Sequence, residues 1–392
     1  MGPPLLVALL CASSCSDAAR RPDAGGPAVE AFRLADEPEL QVGVVGGDPA
    51  QELFDVRAAE RLSDGRIVIV NRGTSELRYY GADGTHLGTS GRRGEGPGEF
   101  EDVRFGRSIV GDSMVTYDYR LRRVSVFDPA GEFARSFEVD ISEGQVRMFG
   151  GVGQASPAEL VVRGDGTVFI VPAPPIWLAR QNPDVPDGPH PSQVQLYELG
   201  GEGAVVDSAG PFVGMEFFIR NGRGNGLLGG RRLYAAAGPD RVIVGDGLTF
   251  DFTMLGPGGA PEAIRVDWPR RPYPQAQRDA EIDRVVEIFA DPDAMRELYG
   301  AMPKADSLPA YSALLADETG TLWIGLYRGV VQGEYPDPNQ WLAVGPKGDV
   351  IGTLETPEGL EVQQIERGYV TGIVTDEFDV ERVLVYRILD DL

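Results

Sequence analysis

The sequence is poor in the residues on which much enzyme chemistry depends. Its 392 residues include two cysteines and two histidines. Because Cys11 and Cys15 both lie near the N-terminus, the rest of the chain holds no disulfide and must be stabilised by burial of its core. His86 and His190 are too few for a histidine-rich zinc site, and neither belongs to a nucleophile motif. These shortages argue against zinc, thiol and histidine-triad catalysis.

Positive charge is also scarce. Asp and Glu number 60 against 36 for Lys and Arg, which gives a net charge of −24, and the lysines are Lys304 and Lys347. An acidic surface disfavours non-specific binding to nucleic acids, whose phosphates need basic partners. After the first residues, no apolar stretch reaches the roughly 18–20 residues needed to span a bilayer. We therefore expect an acidic protein with no nucleic-acid partner.

The first residues are typical of an export signal. Residues 1–14 carry no charge and contain a short apolar run at 5–10, after which small residues precede Cys15. This arrangement resembles the lipobox of bacterial lipoproteins, which implies cleavage before Cys15 and acylation of its thiol. An ordinary secretory signal and a buried N-terminal strand are the alternatives. We predict a signal peptide over 1–15, a flexible tether over 16–28, and a cell-envelope protein that meets the membrane through this anchor alone.

The body of the chain repeats a pair of short β-rich segments six times. The first members lie at 66–70, 114–117, 167–171, 241–244, 321–325 and 369–374. The second members follow after a polar break, at 77–80, 123–127, 194–197, 250–254, 341–344 and 383–386. β-Branched and aromatic residues dominate all of them, as half-buried strands require. Turn pairs such as Asp64-Gly65 and Asp165-Gly166 recur in phase, so each unit is predicted to be a four-stranded antiparallel meander.

Six such units predict a β-propeller. Equivalent positions are 48 to 80 residues apart; the short spacings match one propeller blade and the long ones require insertions. Because the last unit has room for about three strands, the segment at 40–45 is expected to add a fourth and close the ring. The predicted fold class is all-β: a six-bladed β-propeller over 29–392, with an N-terminal strand closing the last blade.

A glycine-rich segment carries a family resemblance. Residues 91–100 read Gly-Arg-Arg-Gly-Glu-Gly-Pro-Gly-Glu-Phe and follow a unit with turns at Asp64-Gly65 and Asp83-Gly84. This unit resembles the NHL-type six-bladed β-propellers, in particular the bacterial envelope lipoproteins of that group, most of which have no characterised function. The resemblance covers about residues 30–390 and implies a fold rather than a function.

Two segments depart from the repeat. Residues 172–192 contain seven prolines, which predicts a long surface loop with little strand pairing, held to the body by Trp177. Residues 275–302, between the fourth and fifth units, place apolar residues such as Ile282 and Leu298 at helical spacing. We predict a helical insertion there, either packed against the rim of the propeller or covering one mouth of its central channel.

In a propeller built from meanders, the loop after each second strand and the loop entering the next blade emerge on the same face. The candidate ligand-binding residues lie on that face: Asn71, Arg72, Arg92, Arg93, Tyr119, Arg120, Arg220, Arg223, Tyr327 and Arg328. Residues 219–232 contain four arginines and no acid, and a local positive patch attracts anionic ligands. The alternative is that these arginines form ion pairs with acids of neighbouring loops.

Three functions are compatible with this arrangement. The first is a non-catalytic cell-envelope protein that needs no cofactor and binds an unknown ligand or protein, anionic if the arginines serve it, through the loop face around the channel. The second, implied by the resemblance to lactonase-like propellers, is a calcium-dependent lactonase or esterase whose metal ligands are Asn71, Asp118, Asp246 and Asp376. The third is a scaffold within an envelope complex.

Overall fold

The computed structural model describes residues 27, 29–140, 145–148, 151–154, 156–173, 185–330 and 335–390. The predicted signal peptide with Cys15, the predicted tether apart from residue 27, and Trp177 lie outside the described residues. None of the helices in these ranges combines the length and the apolar character that a bilayer span requires.

The N-terminal half of the described chain is built from short β-strands. Two strands come first: β1 (Glu30–Phe32) and β2 (Leu40–Val42). The first sheet contains β3 (Val56–Arg61), β4 (Ile67–Asn71), β5 (Glu76–Tyr80) and β6 (His86–Ser90). The second contains β7 (Val103–Ser108), β8 (Met114–Asp118), β9 (Arg123–Phe127) and β10 (Phe133–Glu138). The third contains β11 (Gln145–Met148), β12 (Gly151–Gln154), β13 (Ser156–Val162), β14 (Val168–Ala173), β15 (Gly188–Leu199), β16 (Val205–Arg220) and β17 (Arg223–Gly226).

The C-terminal half adds three sheets and two helices. The fourth sheet contains β18 (Tyr234–Ala237), β19 (Val242–Gly245), β20 (Asp251–Leu255) and β21 (Glu262–Arg265). The helices follow: α1 (Gln275–Val286) and α2 (Pro292–Ala301). The fifth sheet contains β22 (Tyr311–Ala316), β23 (Leu322–Leu326), β24 (Gln340–Val344) and β25 (Val350–Glu355). The sixth contains β26 (Glu361–Glu366), β27 (Tyr369–Thr375) and β28 (Glu381–Arg387).

Every predicted strand pair is present, and each pair supplies the second and third strands of one sheet. Gly65 and Gly166 have positive φ angles of 89° and 86°, as the predicted tight turns require. β2 pairs antiparallel with β28, although it ends at Val42 rather than at residue 45. The prediction of four strands per unit is wrong for two sheets, because the third has seven strands and the fifth gains β1, parallel to β25.

The prediction of a loop with little strand pairing over 172–192 is also wrong at its C-terminal end. β15 begins at Gly188, and both Pro189 and Pro191 pair with β16. These prolines are two residues apart, so the N–H groups that they lack would face the same edge of the strand. His190, which lies between them, keeps an N–H group that would face the other edge. Residues 174–184 of the predicted loop lie outside the described part of the chain.

The core lies between consecutive sheets. The first strand of each sheet contacts the first strand of the next, and β26 of the sixth sheet contacts β3 of the first. Hydrophobic clusters fill each of these interfaces, from Val70 and Met114 between the first and second sheets to Ile69 and Val385 between the sixth and first. Residues of one sheet therefore pack on both neighbours, and burial in these interfaces provides the main stabilisation.

The helices pack on an extension of the third sheet. Ile282 of α1 and Leu298 of α2 are buried in one cluster with Phe218 of β16. Asp291 caps α2 by accepting a hydrogen bond from the Ala294 N–H at 3.1 Å. The apolar faces at helical spacing are thus covered by the long β15–β16 hairpin.

Candidate functional site

In each sheet, the first strand begins and the second strand ends at the same end of the sheet. We call this end of the molecule the upper face. Asn71 and Asp118 are the last residues of β4 and β8, and Tyr327 directly follows β23. The loop with Arg92 and Arg93 joins β6 to β7 and therefore emerges on the same face. The antiparallel strand order thus brings loops from different sheets to one end of the molecule.

The residues considered as calcium ligands stabilise turns. Asp118 is buried, and its carboxylate accepts four hydrogen bonds of 2.7–3.0 Å from the backbone N–H groups of residues 101, 102, 120 and 121. Asp246 and Asp376 each accept two backbone hydrogen bonds from their own loops, and Asn71 accepts one from Phe54. Within the described ranges, no three His, Cys, Asp or Glu side chains are grouped as a metal site. The structure therefore does not bring the three aspartates together.

Several of the predicted ligand-binding arginines lie in ion pairs. Arg72 joins Asp55 before the first sheet to Asp102 before the second, at 2.5 Å in the latter pair. Arg328 donates two hydrogen bonds to Glu358, at 2.7 and 2.8 Å. Two further pairs on this face are Arg92 with Glu99 at 2.6 Å and Arg120 with Glu101 at 3.5 Å. Such guanidinium groups already have an anionic partner within the chain.

The arginine-rich stretch at 219–232 faces acids near or on α2. Arg220 lies 4.0 Å from Glu297, and Arg223 lies 3.1 Å from Asp291. These side chains are largely exposed, so each pair contributes little to stability. The pairs nevertheless balance the positive charge of the stretch.

Two of the exposed predicted residues of the upper face, Tyr119 and Arg93, form no ion pair with any described residue. Tyr119 is 41% exposed, and its ring centroid lies 4.3 Å from the guanidinium carbon of Arg104. Arg93 is exposed and forms no ion pair with any described residue. Arg93 therefore has neither burial nor a charged partner among the described residues.

A cavity of about 220 Å³ lies where the first strands of the six sheets meet. Each of the six strands contributes to its lining, which includes Ala58, Gly106, Val161, Ala236, Leu315 and Val362. The small side chains in this set leave the space between the first strands open. A second cavity of about 210 Å³ lies toward the hairpins between first and second strands, and Arg107 lines both.

A polar network connects four sheets at the point that the two cavities share. Glu60 accepts hydrogen bonds from Arg107 Nη1 at 3.3 Å, from Ser108 Oγ at 2.9 Å and from Gln364 Nε2 at 3.0 Å. Arg107 Nη2 also donates to the backbone carbonyl of Ala316 at 3.2 Å. Burial raises the pKa of the Glu60 carboxyl, and the positive charge of Arg107 opposes this rise. The network holds first strands of the first, second, fifth and sixth sheets together.

Arg271 carries no motif that marks it in the sequence, yet it has an unusual position on the upper face. Its backbone carbonyl accepts a hydrogen bond at 3.0 Å from the N–H of Leu308, three residues before β22 begins. Its Nη2 is buried without a hydrogen-bond partner among the described residues. Burial lowers the pKa of Arg271, and the neighbouring charge of Arg328 lowers it further. A guanidinium stays protonated in proteins, and it can bind a carboxylate through two parallel hydrogen bonds.

Two carboxyl groups lie on the same face. Glu361 begins β26, and Asp337 precedes β24; the Asp337 carbonyl is 3.5 Å from Arg328 Nη1. Burial raises the pKa of both carboxyls, and the charge of Asp337 raises that of Glu361 further. Both residues are nevertheless exposed to solvent. The upper face thus contains both signs of charge.

Helix α1 is attached to the upper face through a buried carboxylate. Glu281 Oε2 accepts a hydrogen bond from Tyr273 at 2.5 Å, and Oε1 accepts one from Tyr327 at 3.2 Å. Gln277 of the same helix donates to the Arg328 carbonyl at 3.1 Å. Burial raises the pKa of Glu281. Tyr327, a predicted ligand-binding residue, therefore contacts the helix, and α1 lies against the loop after β23.

The chain matches no protein-family model and no curated protein. Its structure is similar to that of a DUF4221 family member from Bacteroides vulgatus, with a TM-score of 0.50 and 10% identity, over 92% of this chain and 99% of that one. An exported protein from Bacteroides fragilis gives 0.49 and 11%, over 92% and 96%. Virginiamycin B lyase from Staphylococcus aureus gives 0.39 and 8%, over 92% and 90%.

These comparisons concern the fold alone. At 10% identity, the likeness to the DUF4221 family member carries no information about catalytic or binding residues. The fold is all-β and propeller-like, with antiparallel sheets and little helix. Any function must therefore be argued from the residues of the upper face and of the channel.

Proposed function

We propose that this protein is an exported six-bladed β-propeller that binds a carboxylate-bearing ligand at the upper mouth of its channel. Six blades are supported by the six sheets, whose first strands contact one another in a cycle, and by the pairing of β2 with β28. In this proposal α1 and α2 form the insertion between the fourth and fifth blades. The segment 91–100 supports a relation to NHL-type propellers, and its Phe100 is fully buried against Phe127.

Export rests on the sequence. The uncharged residues 1–14 with their apolar run support a signal peptide, and Cys15 supports attachment to a membrane by lipidation. The cell envelope is the compartment that follows from these two features. A binding protein held there would meet peptides, oligosaccharides and other small molecules of the envelope.

The proposal of a carboxylate as the ligand group rests on the partial burial of Arg271 and on its lack of an ionic partner among the described residues. Arg328 beside it is paired with Glu358, whereas Arg271 is half-buried and has no ionic partner among the described residues. A buried guanidinium is stabilised when a carboxylate accepts its hydrogen bonds. The position of Arg271 beside β22, the first strand of the fifth sheet, supports a ligand that enters from the upper face. The carboxyls of Asp337 and Glu361 favour a neutral or cationic group elsewhere on that ligand.

The test is a calorimetric titration with short peptides that carry a free C-terminal carboxylate, with the same peptides as C-terminal amides, and with uronate oligosaccharides. We expect binding of carboxylate-bearing members and loss of at least about tenfold in affinity in the variant Arg271→Gln, since a charge-assisted hydrogen bond contributes about 1.5–3 kcal/mol. The matched control is Arg265→Gln, which removes an exposed arginine at the upper end of β21 that is not among the predicted ligand-binding residues. Absence of binding throughout the panel, or equal losses in the two variants, would contradict the proposal.

A further inference from the structure

A separate cavity of about 450 Å³ lies at the upper end of the fifth sheet. Its floor is formed by the first residues of β24 and the last residues of β25, and the chain at 31–36 covers it. The volume is within the range of roughly 300–1,000 Å³ that small-molecule sites occupy. This cavity shares none of its lining with the channel.

The walls of this cavity are mainly apolar and aromatic. Phe32, Trp268 and Trp341 are all buried and line it, together with Leu342 and Leu354. Aromatic walls of this kind offer a large contact area to a flat or branched apolar molecule. The cavity is therefore suited to an apolar body rather than to a chain of polar groups.

Two polar groups of the same wall are buried and have no hydrogen-bond partner among the described residues. They are the indole N–H of Trp341, in a residue that is 1% exposed, and the hydroxyl of Thr356, in a residue that is 3% exposed. A buried polar group without a partner is costly, so its presence in a native structure needs a reason. An indole N–H can only donate, and a hydroxyl can donate as well. Both groups would be satisfied by an oxygen acceptor within the cavity.

The charged groups around the cavity disfavour an anionic ligand. Arg33 is held by Asp390, whose carboxylate accepts from the Arg33 backbone N–H at 2.5 Å and from its side chain at 3.0 Å. Asp36 and Glu355 also line the cavity. A ligand carboxylate would meet two like charges and, among the described residues that line the cavity, no cation without an ionic partner, whereas an uncharged oxygen would meet two donors.

We propose that this cavity binds a small uncharged molecule whose apolar body carries a carbonyl or ether oxygen. The aromatic side chains enclose the body, and Trp341 and Thr356 donate hydrogen bonds to the oxygen. The site is independent of the proposed function at the channel mouth, because Arg271 is not part of it.

The experiment compares two probes that differ only in the carbonyl group: 4-phenylbutan-2-one and butylbenzene. Binding to the full chain is measured by ligand-observed NMR titration. We expect the ketone to bind at least fivefold more tightly than the hydrocarbon. The variant Thr356→Val should reduce this preference to twofold or less. The variant Ala35→Leu fills part of the cavity and should weaken the binding of both probes at least fivefold.

The control variant is Thr371→Val. The Thr371 hydroxyl is also buried and without a partner among the described residues, but Thr371 does not line the cavity. It should leave the ketone preference unchanged, and thermal melts should show that all three variants are folded. The proposal is overturned if neither probe binds the wild-type chain, which would indicate a cavity that holds water only. It is also overturned if both probes bind equally, or if Thr371→Val lowers the preference as much as Thr356→Val.

Discussion

Replacing Arg107 with leucine removes the positive charge that faces the buried Glu60. The Glu60 side chain is 3% exposed and the Arg107 side chain 20% exposed, and their closest atoms are 3.3 Å apart. Removing one partner of a buried ion pair costs about 3–5 kcal/mol, because the remaining charge is left uncompensated. With an unfolding entropy of about 2.1 cal/mol/K per residue, this loss lowers the Tm of a domain of this length by roughly 4–7 °C.

The same variant should make stability more dependent on pH. Burial raises the pKa of Glu60 above its ordinary value, so the folded state binds the proton more tightly than the unfolded state does. A group of this kind contributes stability at low pH, and that contribution is lost as the pH rises through its pKa in the folded protein. Without Arg107 the pKa of Glu60 rises further. The deficit of Arg107→Leu relative to wild type should therefore grow between about pH 5 and about pH 8.

Urea denaturation at about pH 5 and at about pH 8, followed by tryptophan fluorescence, measures the free energy of unfolding of each variant. The double variant Arg107→Leu with Glu60→Gln has no buried charge at this position, and we expect it to recover more than half of the lost free energy of unfolding. A deficit that is equal at the two pH values, or a double variant as unstable as the single one, would refute the role assigned to the Glu60 carboxylate.

Three further predictions concern other parts of the chain. Val42→Asp places an unpaired carboxylate at a fully buried position of β2 and should lower the free energy of unfolding in urea by more than about 3 kcal/mol. Gln41→Asp, at the exposed neighbouring position, should lower it by under about 0.5 kcal/mol. Tyr273→Phe removes the 2.5 Å hydrogen bond to Glu281 and should destabilise by about 1.5–3 kcal/mol, measured in the same way. Cys15→Ser should abolish incorporation of labelled palmitate and shift the protein from membranes to the soluble fraction.

The repeated strands could be predicted because each of them is specified locally. β-Branched runs and glycine turns such as Asp64-Gly65 need only neighbouring residues to indicate a hairpin. The helical stretch at 275–302 was recognisable for the same reason, since Ile282 and Leu298 belong to apolar patterns with helical spacing.

The β15–β16 extension and the arginine partners could not be predicted in this way. Pro189 and Pro191 indicate a loop when each is considered alone. A strand tolerates them only where the edge that lacks their N–H groups needs no donor from them, and this depends on how β15 pairs with its neighbours. Arg220 and Glu297 are 77 residues apart in the sequence, and no local sequence pattern predicts their contact. The prediction that the arginines of the upper face bind a ligand stays a prediction.

The channel network and Arg271 were missed because their significance arises only after the sheets assemble. Glu60 and Arg107 occupy strands in which a charged residue ordinarily faces solvent. Where first strands of different sheets meet, Glu60 becomes buried and Arg107 becomes half-buried. Arg271 lies in an irregular segment between β21 and α1, where propensity gives no guidance. The charged residues within the segments that form β3 and β7 were the available signal, and many exposed positions of the chain share it.

The central claim is that a ring of six sheets is closed by β2, which places the loops of different sheets on one face. The most direct measurement is disulfide formation between cysteines introduced at Gln41 and Leu384, which are register partners in β2 and β28, in a variant whose Cys11 and Cys15 are serine. Mass spectrometry after mild oxidation should show this crosslink in high yield, and a pair shifted by one residue, Gln41→Cys with Val385→Cys, should remain mostly reduced. A reduced Gln41–Leu384 pair, or equal yields for both pairs, would contradict the closure of the ring.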